Sequence, residues 1–271
     1  MSNPLISLIT VTFNAEKLLA STWQSAIDQT YQNFELILID GGSKDNTLQV
    51  AKHFESSIGT IISEPDKGIY DAMNKGIKAA KGEWVYFLNA GDSFYNKEVL
   101  STIFENQNYE GIELIYGKVQ TVNEPTGVNY LNGKPVSFSD FFSHYPICHQ
   151  ATFTHIKAFE KIGFYNINYK LVSDNTWFAL FFKLQASKAI FTDKIIAFYD
   201  IQGATYHKRM QGYKEYIHFG WSNFPLPVAI KNWMIYPAIW LKVKLIRTFT
   251  DTAIFKLYRK LKFGEKWLSK F

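Results

Sequence analysis

Between residues 5 and 88, four apolar runs alternate with helical patterns, and this alternation leaves few folds open. Residues 5–13, LISLITVTF, are almost continuously apolar and β-branched, as a strand covered on both faces must be. Residues 34–39 (FELILI), 59–63 and 83–88 repeat the pattern. Between the first two runs, residues 16–30 place Leu18, Leu19, Trp23, Ala26 and Ile27 at helical spacing. Residues 47–56 and 69–80 read as further helices, the former with Asp45 or Asn46 available as a cap. This alternation predicts an α/β fold with a mostly parallel sheet wrapped by helices.

Each strand pattern ends on polar groups: Thr12 and Asn14, Asp40, Asp66, and Asp92. Singly these are ordinary turn residues. As a set they predict one ligand site, because open α/β sheets bind ligands outside the carboxyl ends of their strands. Residues 98–106 then read as a helix, 112–122 and 127–131 as strands, and 139–143 and 155–162 as short helices. Residues 173–186 form an amphipathic helix pattern with Asp174 near its start, and 189–201 are strand-like. From 209 onward the chain is aromatic, basic and helical in pattern, and Pro237 is expected to limit any single long helix. The expected organisation is a body over 1–208, in halves 1–95 and 96–208, with a helical extension over 209–271.

The net charge of +5 hides an asymmetry. Residues 1–204 carry 16 Lys/Arg against 21 Asp/Glu, a net −5, whereas 205–271 carry 13 against 3, a net +10. Basic charge confined to the tail, with acidic strand ends, argues against nucleic-acid binding. The single cysteine, Cys148, excludes an intramolecular disulfide and fits a reducing compartment. The opening MSNPLISLITVTFN has no basic leader region, so no secretory signal is expected. No run reaches the roughly 18 apolar residues of a spanning helix. The G-x-G-x-x-G, G-x-x-x-x-G-K-[ST] and G-x-S-x-G patterns are absent, against a dehydrogenase, a P-loop enzyme or a common hydrolase.

The run VTFNAEKLLASTWQSAIDQTYQNFELILIDGGSKDNT, continued by EPDKGIYDAMNKGIKAAKGEWVYFLNAGDSF, resembles the opening of family 2 glycosyltransferases, which have the GT-A fold. The later CHQATFTHIKAFEKIGFYNINYKLVSDNTWF resembles the acceptor-side half of the subgroup that builds bacterial polysaccharide and lipopolysaccharide chains. The resemblance spans roughly residues 4–205. It implies inverting transfer of one sugar from a nucleoside diphosphate donor, UDP-linked, to a glycan or lipid-linked saccharide. It also implies that Thr12, Asn14 and Glu16 line the nucleoside pocket, with Glu16 near the ribose. Asp40 would hydrogen-bond the base, Asp66 and Gly68 would flank base and ribose, and Asp71 and Asn74 would face the donor.

The family's metal-binding DXD motif falls on Ala90-Gly91-Asp92, after Asn89, so its first carboxylate is missing. Asp92 alone remains for a divalent cation, Mn2+ or Mg2+, which would complete its shell with waters and donor phosphates. Such a cation would stabilise the departing diphosphate. The C-terminal histidine that ligates metal in some GT-A enzymes would correspond to His207, and the small hydroxyl residue more usual in the subgroup to Thr205. The general base of an inverting transfer would be Asp174, although a carboxylate at a helix start can equally be a cap. His149 and Gln150 match a His-Gln pair near the sugar site. Two alternatives stay open: a nucleotidyltransferase, for which Val11–Glu16 lacks a basic phosphate loop, and a non-catalytic nucleotide- or glycan-binding protein with a degenerate metal site.

Residues 226–271 interleave Trp233, Trp240 and Trp267 with lysines and arginines. Basic charge beside large apolar side chains suits an interfacial helix on an anionic membrane. A cytoplasmic protein held peripherally on the inner face of the cell membrane is therefore expected. Packing of the tail on the body, or an oligomer interface, would use the same surface.

Overall fold

A computed structural model describes residues 3–54, 58–123, 128–200 and 208–249. The first half follows the expected alternation closely. It runs β1 (Ile6–Thr12), α1 (Leu19–Ile27), β2 (Phe34–Asp40), α2 (Thr47–Lys52), β3 (Ile58–Ser63), α3 (Ile69–Ala79) and β4 (Trp84–Phe87). A two-residue strand β5 (Ser93–Phe94), helix α4 (Val99–Phe104) and the paired strands β6 (Leu114–Asn123) and β7 (Val128–Asn132) come next. Short 3-10 turns at Phe138–Phe142 and His149–Ala151 lead to β8 (Thr152–His155), α5 (Ile156–Ile162), α6 (Ser173–Gln185) and β9 (Ala189–Asp200). Two helices close the described chain, α7 (Arg209–Asn223) and α8 (Leu226–Phe249).

Among the described residues nine strands join one sheet, ordered β3-β2-β1-β4-β8-β6-β9-β5, with β7 on the edge of β6. The sheet is parallel through β3, β2, β1 and β4. Beyond β4 it is mixed, since β8 runs antiparallel to both β4 and β6. Strand β1 is buried throughout because both faces are covered. Ile6 and Leu8 enter a core with Leu19 and Trp23 of α1, and Ile9 and Val11 enter a second with Met73 and Ile77 of α3. Helix α3 lies very close to the sheet at Gly76, where an added Cβ would fall 2.4 Å from Ile9 Cγ2. Any larger residue there would push α3 off β1.

Helix α1 is shorter than its hydrophobic pattern. Ala15 N and Glu16 N donate to Thr47 Oγ1 (2.8 Å) and Asp45 Oδ2 (3.1 Å), so the segment before Leu19 is tied to the start of α2. The tail also departs from expectation. The helical break falls before Leu226, and α8 then continues through Pro237 to Phe249. A proline ring removes a single ladder hydrogen bond, and α8 absorbs that loss in a partly exposed stretch. No helix among the described residues is long and apolar enough to cross a membrane.

Candidate active site at the carboxyl ends of the central strands

In the order 3-2-1-4 the chain reverses direction across the sheet between β1 and β4, which opens a crevice outside their carboxyl ends. Sheet register sets Thr12 beside Asp40 and Asp40 beside Ser63. Asp40 is fully buried. It accepts hydrogen bonds from Thr12 Oγ1 (3.3 Å), Ser63 Oγ (2.7 Å), Gly42 N (3.1 Å), Ser43 N (3.0 Å) and Ser43 Oγ. Burial alone pushes this carboxyl up, and the bonds from Ser43, Ser63 and Gly42 outweigh it to hold the group below the usual carboxylate range. A carboxylate offers about four lone-pair positions. With five internal donors, Asp40 is held firmly in the pocket wall.

The loops after β1 and β2 are stitched together above that wall. Asn14, at φ 52°, accepts from Lys44 N (2.8 Å) and donates its own N–H to Ser43 Oγ (2.8 Å). Glu16 Oε2 accepts from both Asn46 N (2.9 Å) and Asn46 Nδ2 (3.0 Å). Asn14 and Glu16 are thus brought to the site as the frame of its rim.

Asp66 stands against Gly41. A Cβ on Gly41 would fall 2.4 Å from Asp66 Oδ2, so glycine there makes room for that carboxylate. Asp66 Oδ1 accepts from Gly68 N (2.7 Å), and Asp71 Oδ2 accepts from Lys67 N (2.9 Å) to fix the loop before α3. Phe13 projects beside Gly41 with its side chain 64% exposed, an unusual state for an aromatic at a strand end. The apolar strand pattern concealed it, because Phe13 reads as the last residue of the core run.

A chain of polar contacts crosses from the end of β4 to α6. Asp174 is buried at the start of α6, and its Oδ1 accepts from Tyr70 Oη of α3 (2.7 Å). Its Oδ2 lies 2.8 Å from His149 Nδ1, and His149 Nε2 lies 3.1 Å from Asn89 Nδ2. Burial pushes the Asp174 carboxyl up, yet the hydrogen bond and charge of His149, with Tyr70, hold it below the ordinary range. Burial disfavours the charged form of His149, and Asp174, aided by Asp92, outweighs this and raises the imidazole pKa. Tyr70 was hidden from sequence reasoning: it lies 104 residues from Asp174, with only a one-residue offset from Asp71 to mark it.

Asp92 is buried on the turn after β4, where its N–H donates to Asn89 O (2.9 Å). Gly91, at φ +101°, donates its N–H to Thr22 Oγ1 (2.9 Å), and Ala90 lies between Asn89 and Gly91 on the same turn. Asn74 of α3 is buried and bonds the backbone of Tyr165. Its Nδ2 donates to Tyr165 O (2.8 Å) and its Oδ1 accepts from Tyr165 N (3.0 Å), which binds α3 to the second half of the chain. His207 and Thr205 lie outside the described residues. Among the described residues no group of three or more His, Cys, Asp or Glu side chains could hold a metal ion.

Comparison with known proteins matches this architecture. The family model for glycosyl transferase family 2 matches residues 7–187. A PGL/p-HBAD biosynthesis glycosyltransferase of Mycobacterium bovis is 36% identical over 179 residues, which cover 64% of this chain and 68% of that protein. Glycosyltransferase GlyG of Streptococcus pneumoniae is 28% identical over 129 residues, 46% of this chain and 42% of that one. Among solved structures, S. aureus TarS 1-349 in complex with UDP-GlcNAc superposes with a TM-score of 0.62 at 19% identity, covering 97% of this chain and 78% of its own. Mannosyltransferase PcManGT from Pyrobaculum calidifontis, in complex with GDP-Man and Mn2+, gives 0.59 at 15%, covering 99% and 86%. The chain belongs to glycosyl transferase family 2. Its sheet is that of the GT-A fold and it is a glycosyltransferase.

Proposed function

We propose that this enzyme transfers one sugar, with inversion, from a UDP-linked donor to a hydroxyl of a glycan or lipid-linked saccharide in surface polysaccharide synthesis. The carrying observation is the contact chain Asn89–His149–Asp174–Tyr70, which joins the crevice between β1 and β4 to the second half of the fold. The nucleoside would lie over the wall made by Thr12 and Asp40, under the rim of Asn14 and Glu16. Phe13 offers its exposed ring to the base, while Asp66 and Gly68 flank the ribose and Asp71 steadies their loop. Asn89, Ala90, Gly91 and Asp92 would face the diphosphate. Asp174, held by Tyr70 and His149, would take the acceptor proton, with His149 near the sugar. Residues 1–208 would form the catalytic body, its halves divided near 95, and 209–271 an extension. The test is nucleotide release from UDP-GlcNAc and GDP-mannose, with thermal shift alongside. No stabilisation and no release with either sugar nucleotide would refute the reading.

A divalent cation, Mn2+ or Mg2+, fits here as a partner of the donor. Asp92 is the one carboxylate on the turn after β4, and magnesium-type sites commonly use one or two carboxylates plus substrate phosphates. Asp92 would hold the ion, which when bound supplies positive charge to the departing diphosphate. Mn2+ should therefore bind weakly to the free protein and at least about tenfold more tightly with UDP present, as paramagnetic titration would report. Equal affinity with and without UDP would contradict this arrangement.

Gly41→Ala should displace Asp66 and weaken UDP binding by about 10- to 100-fold, the cost of a lost buried hydrogen bond or two. Calorimetric titration measures it, and unchanged affinity would remove Asp66 from the nucleoside pocket.

Helix α8 supports a membrane-facing role for the tail. Leu226, Trp233, Met234, Trp240 and Leu241 are all more than two-fifths exposed, and Lys244 Nζ sits 5.0 Å over the Trp240 ring. Their spacing gathers them on one side of the helix. Trp233→Glu with Trp240→Glu should abolish co-sedimentation with vesicles containing phosphatidylserine. Retention equal to the parent protein would discard the role.

A further inference from the structure

We infer that a cavity at the amino ends of β1 and β4 is a second saccharide-binding site, which holds a stretch of glycan away from the reacting centre. The catalytic crevice lies at the other end of the same strands, about 20 Å away by the length of β1. Binding of a saccharide stands on the cavity alone, and only the identity of that saccharide as part of the growing glycan rests on the transfer reading above.

The cavity has a volume of about 460 Å3, within the range of small-molecule sites. Sheet order builds it. Register sets Trp84 of β4 beside His155 of β8, His155 N donates to Glu113 O (2.9 Å), and Ile156 N donates to Glu83 O (2.9 Å). Because β8 lies between β4 and β6, Glu83 and Glu113 flank His155. The loop from α4 to β6 adds Gln107, Asn108 and Tyr109 to the lining. Gly111 of the same loop, at φ +78°, leaves open space where a Cβ would stand.

The lining suits hydroxyl groups. Glu113 is 5% exposed, and its Oε1 accepts from Lys188 Nζ (2.9 Å) and from Lys161 Nζ. Its Oε2 is buried with no hydrogen-bond partner among the described residues. Burial pushes this carboxyl up, and Lys161 and Lys188 outweigh it to hold the group below the ordinary range. An ionised oxygen without a donor is costly, and a ligand O–H satisfies it. His155 Nδ1 accepts from Lys157 N (3.2 Å), so the neutral ring carries its proton on Nε2 and can donate it. Burial and the Lys157 charge lower the His155 pKa and keep the ring in that neutral form. Tyr109 is half-buried, with its hydroxyl tied to Ile103 O (2.7 Å) and its ring at 69° to that of Trp84. A ring so fixed offers an apolar surface to the C–H side of a sugar, and the side-chain amides of Gln107 and Asn108 serve its hydroxyls.

Charge separates a sugar from other polar ligands. The carboxylates of Glu83, Glu110 and Glu113 are matched by Lys157 of the lining and by Lys161 and Lys188 on Glu113. Three negative charges against three positive ones favour a neutral polyhydroxy ligand over a polyamine or a nucleotide.

The test uses the full chain labelled with 15N-tryptophan, with Trp84→Phe assigning the Trp84 indole, titrated with chitotriose, maltotriose and mannotriose. At least one trisaccharide should shift the Trp84 indole with a Kd of about 1 mM. The indole of Trp23, which donates to Thr10 Oγ1 in the core beside α1, should stay in place. Saturation with UDP should leave that Kd unchanged. The combined variant Glu83→Ala with Gln107→Ala changes two exposed residues and should raise the Kd at least about tenfold, with the Trp23 resonance reporting an intact fold. No Trp84 shift with any of the three at about 20 mM would overturn the inference. So would a shift that UDP abolishes, which puts the sugar in the crevice, a larger response to spermidine at equal concentration, or an unchanged Kd in the combined variant. A protein that shows the Trp84 shift but releases nucleotide from neither UDP-GlcNAc nor GDP-mannose keeps this site and loses the transfer reading.

Discussion

Asp174→Asn should reduce sugar transfer by about 100- to 10,000-fold while leaving UDP affinity within about twofold. The size follows from what surrounds the carboxylate. Tyr70 Oη and His149 Nδ1 both point donors at it, and an amide can accept at only one end. If the amide oxygen stays with Tyr70, its NH2 faces His149 and drives the ring proton to Nε2. The carboxylate that, on the proposed reading, takes the acceptor proton is then gone. The change is nearly isosteric, so the packing of α6 against Phe159 and Tyr165 should persist. Single-turnover release of UDP, beside calorimetric binding of UDP, separates the two effects. Parent-like turnover in this variant would take Asp174 out of the mechanism, and a matching loss of UDP affinity would make it a structural residue of the donor pocket.

Asp40→Asn should lower stability by about 2–4 kcal/mol, since an amide NH2 in place of one oxygen meets N–H and O–H donors with nowhere to go. In a chain of this size that is roughly a 5–12 °C fall in Tm. The pH dependence gives a second check. The folded Asp40 carboxyl is held below its ordinary value, so its contribution is complete above the unfolded pKa of about 3.9. That contribution is lost as pH falls through the lower, folded value. The stability gap between parent and variant should therefore be widest near neutrality and close as the solution is acidified below about pH 4. A gap of constant width from pH 7 to pH 3 would show that the loss is one of shape and not of charge.

Much of the first half was legible because its physics is local. A strand covered on both faces must be apolar at nearly every position, and LISLITVTF and FELILI announce β1 and β2 to within two residues at either end. The helical spacing at 69–80 likewise finds α3. The mixed second half was not legible as topology. Strand β8 is four residues long and takes its place from partners at Trp84–Tyr86 and Leu114–Tyr116, far away in sequence. The site divides in the same way. Thr12, Asp40 and Asp92 stand at strand ends, where position alone suggests them. Their use of hydrogen bonds does not follow from position. That Asp40 is held in place depends on Ser43 and Ser63, and that Asn74 holds Tyr165 depends on a segment 91 residues away. Nothing in the pattern around Tyr70 marks it as the phenol that meets Asp174.

Helix α3 ties several parts of this site together. Tyr70 reaches Asp174, Asp71 holds the backbone of Lys67, Asn74 grips Tyr165, and Lys75 Nζ donates to Pro65 O (3.1 Å). Its far side is pressed against β1 at Gly76. In the proposed transfer, one short rod would therefore serve as a common gauge from which both substrates are measured. The spacing between leaving group and nucleophile would then be inherited from the pitch of a helix and would not have to be found anew at each encounter. Rim loops can be redrawn for other sugars without disturbing that distance, so long as the faces of the rod keep their partners.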